Sequence, residues 1–89
     1  MVRIKILFFA SAREAAGDIS EASIILSSED ANTSGIRNKL AALYPRLAEL
    51  VKDEDNITLA LNEEYVARGQ NVSLKEGDTI ALIPPISGG

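Results

Sequence analysis

Val2-Arg3-Ile4-Lys5-Ile6-Leu7-Phe8-Phe9 opens the chain and Thr79-Ile80-Ala81-Leu82-Ile83 comes close to its end, and these two stretches decide the fold. The first alternates Val2, Ile4, Ile6 and Phe8 with Arg3, Lys5, Leu7 and Phe9. A period of two reads as a strand, and its second face starts charged and turns apolar. The second stretch is apolar on both faces. Strands so continuously apolar are buried on more of their surface, which places both at the centre of a sheet. Neighbouring central positions make them parallel.

Between them, Ser11-Ala12-Arg13-Glu14 matches the Ser-x-x-Glu capping box, and Gly17 after Ala15 and Ala16 offers a left-handed stop, so a single helical turn is expected. Residues 19–26, with Ile19, Ile24 and Ile25, read as a strand forming an antiparallel hairpin with the first. Thr33 or Ser34 can cap a helix whose stripe is Ile36, Leu40, Leu43 and Leu47, and Pro45 ends or bends it after Tyr44. Leu40, Leu43 and Tyr44 are assigned to the core. A shorter helical piece over residues 45–51 would turn Leu47, Leu50 and Val51 inward, followed by a charged loop over 52–56. Ile57, Leu59 and Leu61 alternate in a third strand that ends in a turn at 62–65, where Asn62 tolerates a left-handed backbone. Residues 65–68 form a short edge strand, with turns at 69–71 and 75–78. The order strand, strand, helix, strand, short strand, strand is α+β: a mixed sheet of four to five strands with one main helix across it, the β-grasp. The domain occupies residues 1–83, and 84–89 form a flexible tail.

Eighty-nine residues suffice for one small core, and 46% hydrophobic with 25% charged residues suits a folded domain. The chain has no Cys and no His. That excludes disulfides, a thiolate nucleophile, a Cys/His zinc site and an imidazole base. With Lys+Arg 9 against Asp+Glu 13 the net charge is -4, and the basic residues are scattered. No nucleic acid is expected as a partner, because phosphate binding needs a concentrated positive footprint, whereas a basic protein surface suits this charge. The apolar run 4–10 is too short to span a bilayer and no signal peptide precedes it, so no membrane is involved and the protein is read as cytoplasmic. The acidic runs Glu63-Glu64 and Asp53-Glu54-Asp55 are read as solvated turns; no metal site is assigned.

The ending Ile83-Pro84-Pro85-Ile86-Ser87-Gly88-Gly89 is hard to explain by folding. Two prolines stop the sheet and hold the next residues extended, while two glycines lack a Cβ and can thread a narrow channel. The bland alternative is a frayed end or linker remnant. If the chain takes part in chemistry, the terminal carboxylate is its best candidate. A carboxylate donates an acyl group only once its oxygen has become a leaving group, for instance by adenylation. Another protein must hold the ATP and magnesium, since this chain has no Gly-rich phosphate loop. A docking surface is sought among apolar residues the core does not need. If Ile4, Ile6 and Phe8 face the helix, Leu7 and Phe9 lie on the opposite face, unless a loop covers them. Ile83 extends that patch and Arg13 sits at its rim.

Ile6-Leu7-Phe8-Phe9-Ala10, Arg13-Glu14-x-x-Gly17, Tyr44-Pro45, Leu74-x-x-Gly77-Asp78 and above all Pro84-Pro85-Ile86-Ser87-Gly88-Gly89 resemble the small, sulfur-carrying subunits of molybdopterin synthase, which are ubiquitin-like proteins. The resemblance spans essentially the whole chain. It implies that an E1-like enzyme adenylates Gly89, that sulfur is installed there as a thiocarboxylate, and that the tail inserts into the large synthase subunit. There the sulfur would pass to cyclic pyranopterin monophosphate and build the dithiolene of molybdopterin. It further implies a heterotetramer of two small and two large subunits, the large ones supplying the catalytic groups, with Phe9, Arg13 and Ile83 as contacts. No cofactor would be held stably. With Gly89 last, no processing is expected. The alternatives are a ubiquitin-like modifier conjugated to lysines through Gly89, a thiamine-pathway sulfur carrier, against which the Pro-Pro spacer argues, and a binding module with an incidental tail.

Overall fold

In the computed structural model, residues 1–51, 57–67 and 69–84 are described. The charged loop at 52–56, Arg68 and residues 85–89 of the tail lie outside them.

The alternating opening stretch forms β1 (Val2–Phe8), and β2 (Glu21–Leu26) returns antiparallel to it with Ile4 opposite Ile24. The other strands are β3 (Thr58–Leu61), β4 (Glu64–Tyr65) and β5 (Thr79–Ile83). They join into one five-stranded sheet in the order β2-β1-β5-β3-β4. β1 and β5 are adjacent and parallel, from Lys5 opposite Thr79 to Phe8 opposite Leu82, as expected for the two most apolar strands. β3 completes the centre antiparallel to β5. The architecture is the expected β-grasp.

Ile4, Ile6 and Phe8 of β1, Ile24 and Leu26 of β2, Leu59 of β3, and Ile80 and Leu82 of β5 are buried on one face of the sheet. That face is covered by α2 (Thr33–Leu43), whose Ile36 and Leu40 are wholly buried, and by Leu47 and Val51 beyond it. Each such side chain removed from water contributes roughly 1.5–3 kcal/mol. The rings of Tyr44 and Phe8 meet in a T-shaped contact, with centroids 5.6 Å apart. A 3-10 turn at Pro45–Leu47 and α3 (Ala48–Val51) follow, as the proline implies.

Several local expectations are corrected. The helical turn after β1 is α1 (Ala10–Ala15), and Ser11 lies inside it rather than at its cap. The chain turns immediately after Phe9, with Ala10 at φ 48, so Phe9 is the N-cap and no side chain caps the helix. Asn32, not Thr33 or Ser34, caps α2: its side-chain oxygen accepts from the Gly35 N–H at 2.7 Å. Thr33 is instead buried, its hydroxyl accepting from the Val72 N–H at 3.0 Å and tying the helix start to the loop before β5. Leu43 is not core but 49% exposed. Buried Thr33, Ile36, Leu40 and Ala41 centre the stripe on a direction that Tyr44 continues, leaving Leu43 at its margin. β2 starts at Glu21 rather than residue 19, and the short strand is Glu64–Tyr65.

That short strand follows a two-residue turn, with Leu61 opposite Glu64 and both Asn62 (φ 49) and Glu63 (φ 74) left-handed. Two positive φ values are what a type I′ hairpin requires, and Asn-Gly suits it best. Asn62 also accepts from the Thr79 N–H and donates to Asp78, each at 3.0 Å, which locks the hairpin to β5. Glu63→Gly is therefore expected to raise stability by a few tenths to about 1 kcal/mol, read as a higher urea midpoint with an unchanged slope.

Candidate functional site

The face of the sheet away from α2 carries the residues of interest. Pairing places Glu21, Leu7, Ala81, Ala60 and Tyr65 side by side across β2, β1, β5, β3 and β4. Directly paired residues share a face. Leu7 and Ala81 are half-buried, Ala60 is 5% exposed and Tyr65 is 74% exposed. Two alanines thus floor a shallow surface between Leu7 on one side and the Tyr65 ring on the other. One step along, Ile83 pairs with Thr58, and Phe9 continues β1 on Leu7's face at 48% exposure. Solvent would keep polar groups on such a face in an isolated domain, so its composition makes it the candidate interaction surface.

The structure brings Leu7, Phe9 and Ile83 to one face, and no described loop covers Phe9. Arg13 is exposed on α1, which begins where β1 ends. It forms no ion pair among the described residues. Its carbonyl accepts from the Asp18 N–H at 2.8 Å, part of the turn in which Gly17 (φ 91) ends α1 as expected. Pro84 is half-buried at the end of β5, which runs parallel to β1, so it lies at the same end of the sheet as Phe9 and α1. Pro85, Ile86, Ser87, Gly88 and Gly89 lie outside the described residues.

Sequence reasoning missed Tyr65, Ala60 and Ala81. Tyr65 reads as the junction of a turn and a short edge strand, and nothing local announces that it lands two strands away from Ala81, in line with Leu7. Only the two-residue loop at Asn62-Glu63, which sets the register, could have signalled it. Glu63 and Glu64 are exposed on that hairpin. No helix among the described residues is long and apolar enough to cross a membrane.

Comparison with known proteins follows the same outline. The molybdopterin synthase sulfur carrier subunit of Chlamydomonas reinhardtii is 39% identical over 88 residues, covering 99% of this chain and 100% of that protein. The subunit of the same name from Aedes aegypti is 39% identical over 90 residues, covering 100% of this chain and 91% of that one. Among solved structures, small archaeal modifier protein 1 of Methanosarcina acetivorans superposes with a TM-score of 0.80 at 27% identity, covering 100% of this chain and 98% of that one. The ThiS family model matches residues 6–89, from the middle of β1 through the glycine pair, and so takes in both the patterned sheet and the tail: the chain belongs to the ThiS family.

Proposed function

We propose that this protein is the sulfur carrier subunit of a molybdopterin synthase. The observation that carries the reading is 39% identity along the whole chain to proteins of that name, with the glycine pair retained inside the family match. A carboxylate oxygen of Gly89 attacks the α-phosphorus of ATP on an E1-like enzyme, with magnesium held there, and pyrophosphate leaves. A sulfur nucleophile supplied by a persulfide donor then displaces AMP. A C–S bond replaces the C–O bond, and reduction of the donor's S–S bond by a thiol frees the thiocarboxylate. The tail next enters a pocket of the large subunit, where the sulfur passes to cyclic pyranopterin monophosphate. The chain's own residues do the presenting: the ring of Pro84 fixes φ where the tail begins, and Leu7, Phe9, Ile83 and Tyr65 dock the sheet while Arg13 lies at the rim.

Protein isolated from cells that contain the activating system should show, by intact mass, one oxygen replaced by sulfur. An unmodified terminus under those conditions would sink the reading. Phe9→Asp should weaken binding to the large subunit by about ten- to a hundredfold, measured by calorimetry, because a desolvated aromatic anchor is replaced by a charge. The exposed site should leave unfolding within about 0.5 kcal/mol of wild type. Equal affinity of the variant would show that the apolar face is not the docking surface.

A second reading, a modifier conjugated to lysines, has the likeness to the archaeal modifier protein behind it. It predicts branched Gly-Gly remnants on lysines in digested cell extract.

A further inference from the structure

The two edges of the sheet are treated differently. β4 ends one side with only two residues, which gives another strand little to pair with. β2 ends the other side with six, Glu-Ala-Ser-Ile-Ile-Leu, free of proline and lysine. The Phe8 N–H donates to the Ser20 carbonyl at 2.9 Å, so the even-numbered residues of β2 bond to β1. The N–H and C=O groups of Glu21, Ser23 and Ile25 therefore point away from the sheet. The side chains of these three residues stand on the outward face, where Ile25 is 49% exposed.

From this edge we infer that a second copy of the chain pairs with β2 antiparallel about a two-fold axis through Ser23, joining two sheets into one of ten strands. Charge selects the occupant and the register. Arg3 lies opposite Ile25 in the β1–β2 pairing and Glu21 lies at the other end of β2, on the same face. Arg3 forms no ion pair among the described residues, and Glu21 pairs with Lys5 at 3.0 Å with both side chains largely exposed. With Ser23 on Ser23, Glu21 of each copy faces Ile25 of the other, with Arg3 of that copy on the next strand. Each exposed Ile25 is then flanked by a carboxylate and a guanidinium whose long side chains meet across it. On the inward face Ala22 meets the other copy's Ile24 and continues the core. A register shifted by two residues, centred on Ile24, would instead place Ser23 against Ile25 and leave Arg3 without an acid. The two outward patches stay on one side of the joined sheet and the two β5 strands end at opposite edges of it, so pairing does not block docking.

One strand pair buries less than the ~1,000 Å² of a stable interface, so the dimer should be weak, with a dissociation constant of about 0.1–1 mM. Sedimentation of the full chain over that range should show an average mass rising towards twice the monomer, and amide shifts should concentrate at Glu21, Ser23 and Ile25. Ser23→Pro removes an N–H that β1 does not use, and should weaken the dimer at least about tenfold. Circular dichroism reports whether that variant folds. Independently, Arg3→Glu should weaken association and Arg3→Glu with Glu21→Arg should restore it. A chain monomeric throughout, or a dimer indifferent to these substitutions, overturns the proposal. Shifts at the same amides only on adding another protein would assign the edge to that partner's strand and overturn it too.

Discussion

Deleting Gly89 is expected to abolish thiocarboxylate formation and with it the appearance of dithiolene product, a loss of at least about a hundredfold. The chain still ends in a glycine carboxylate, so its chemistry is intact. What changes is reach, because the reacting carbon retreats by one extended residue, about 3.3 Å, while the sheet stays docked on its partner. Reacting groups must approach to about 3–3.5 Å, so a deficit of that size puts attack out of range. Nothing else in the chain can substitute, since neither Cys nor His is present. The measurement is intact mass after incubation with activating enzyme, ATP, magnesium and sulfur donor, followed by assay with large subunit and precursor. Binding of the truncated chain to the large subunit should change far less, because the patch of Leu7, Phe9, Ile83 and Tyr65 is retained. Wild-type sulfur transfer by the truncated chain would refute the carrier role of Gly89.

The largest effect on stability should come from Gly35→Ala, a change that helix propensity alone would favour by about 1 kcal/mol. Gly35 is the third residue of α2, and the 3-10 turn at Ser28–Asp30 lies against it. A Cβ there would collide with the Asp30 carbonyl oxygen and sit 2.7 Å from the Asp30 carbonyl carbon and 3.0 Å from its Cα. All three are backbone atoms, so relief requires moving the turn. The Asp30 N–H donates to the Ser27 carbonyl at 3.0 Å and the Asn32 side chain holds both the Gly35 N–H and the Glu29 carbonyl. A net loss of about 2–3 kcal/mol is expected, a fall in Tm of roughly 10–20 °C for a domain of this size. An unchanged Tm would mean that the turn yields at no cost.

Much of this protein is legible in its residues because the relevant physics is local. Alternation along residues 2–9 and 79–83 separates inward Ile4, Ile6, Phe8, Ile80 and Leu82 from the outward set. Their hydrophobicity ranks the two strands as central before any contact is known. Pro45 stops the main helix and Gly17 ends the short one. The capping pattern at Ser11-Ala12-Arg13-Glu14 misleads. The turn out of β1 begins one residue earlier, at Ala10, and a motif has no knowledge of where its strand must end.

What the sequence by itself determined is which residues alternate and where strands and helices end and turn, since neighbours a few positions apart settle those. Tertiary structure decided the rest. Tyr65 joins Leu7 in one outward row, Leu43 stays in water, Gly35 is needed for a turn five residues before it, and β2 keeps an open edge while β4 is cut short. Each depends on strand order, register or close approach between segments, and these follow from packing the whole chain, which no local pattern encodes.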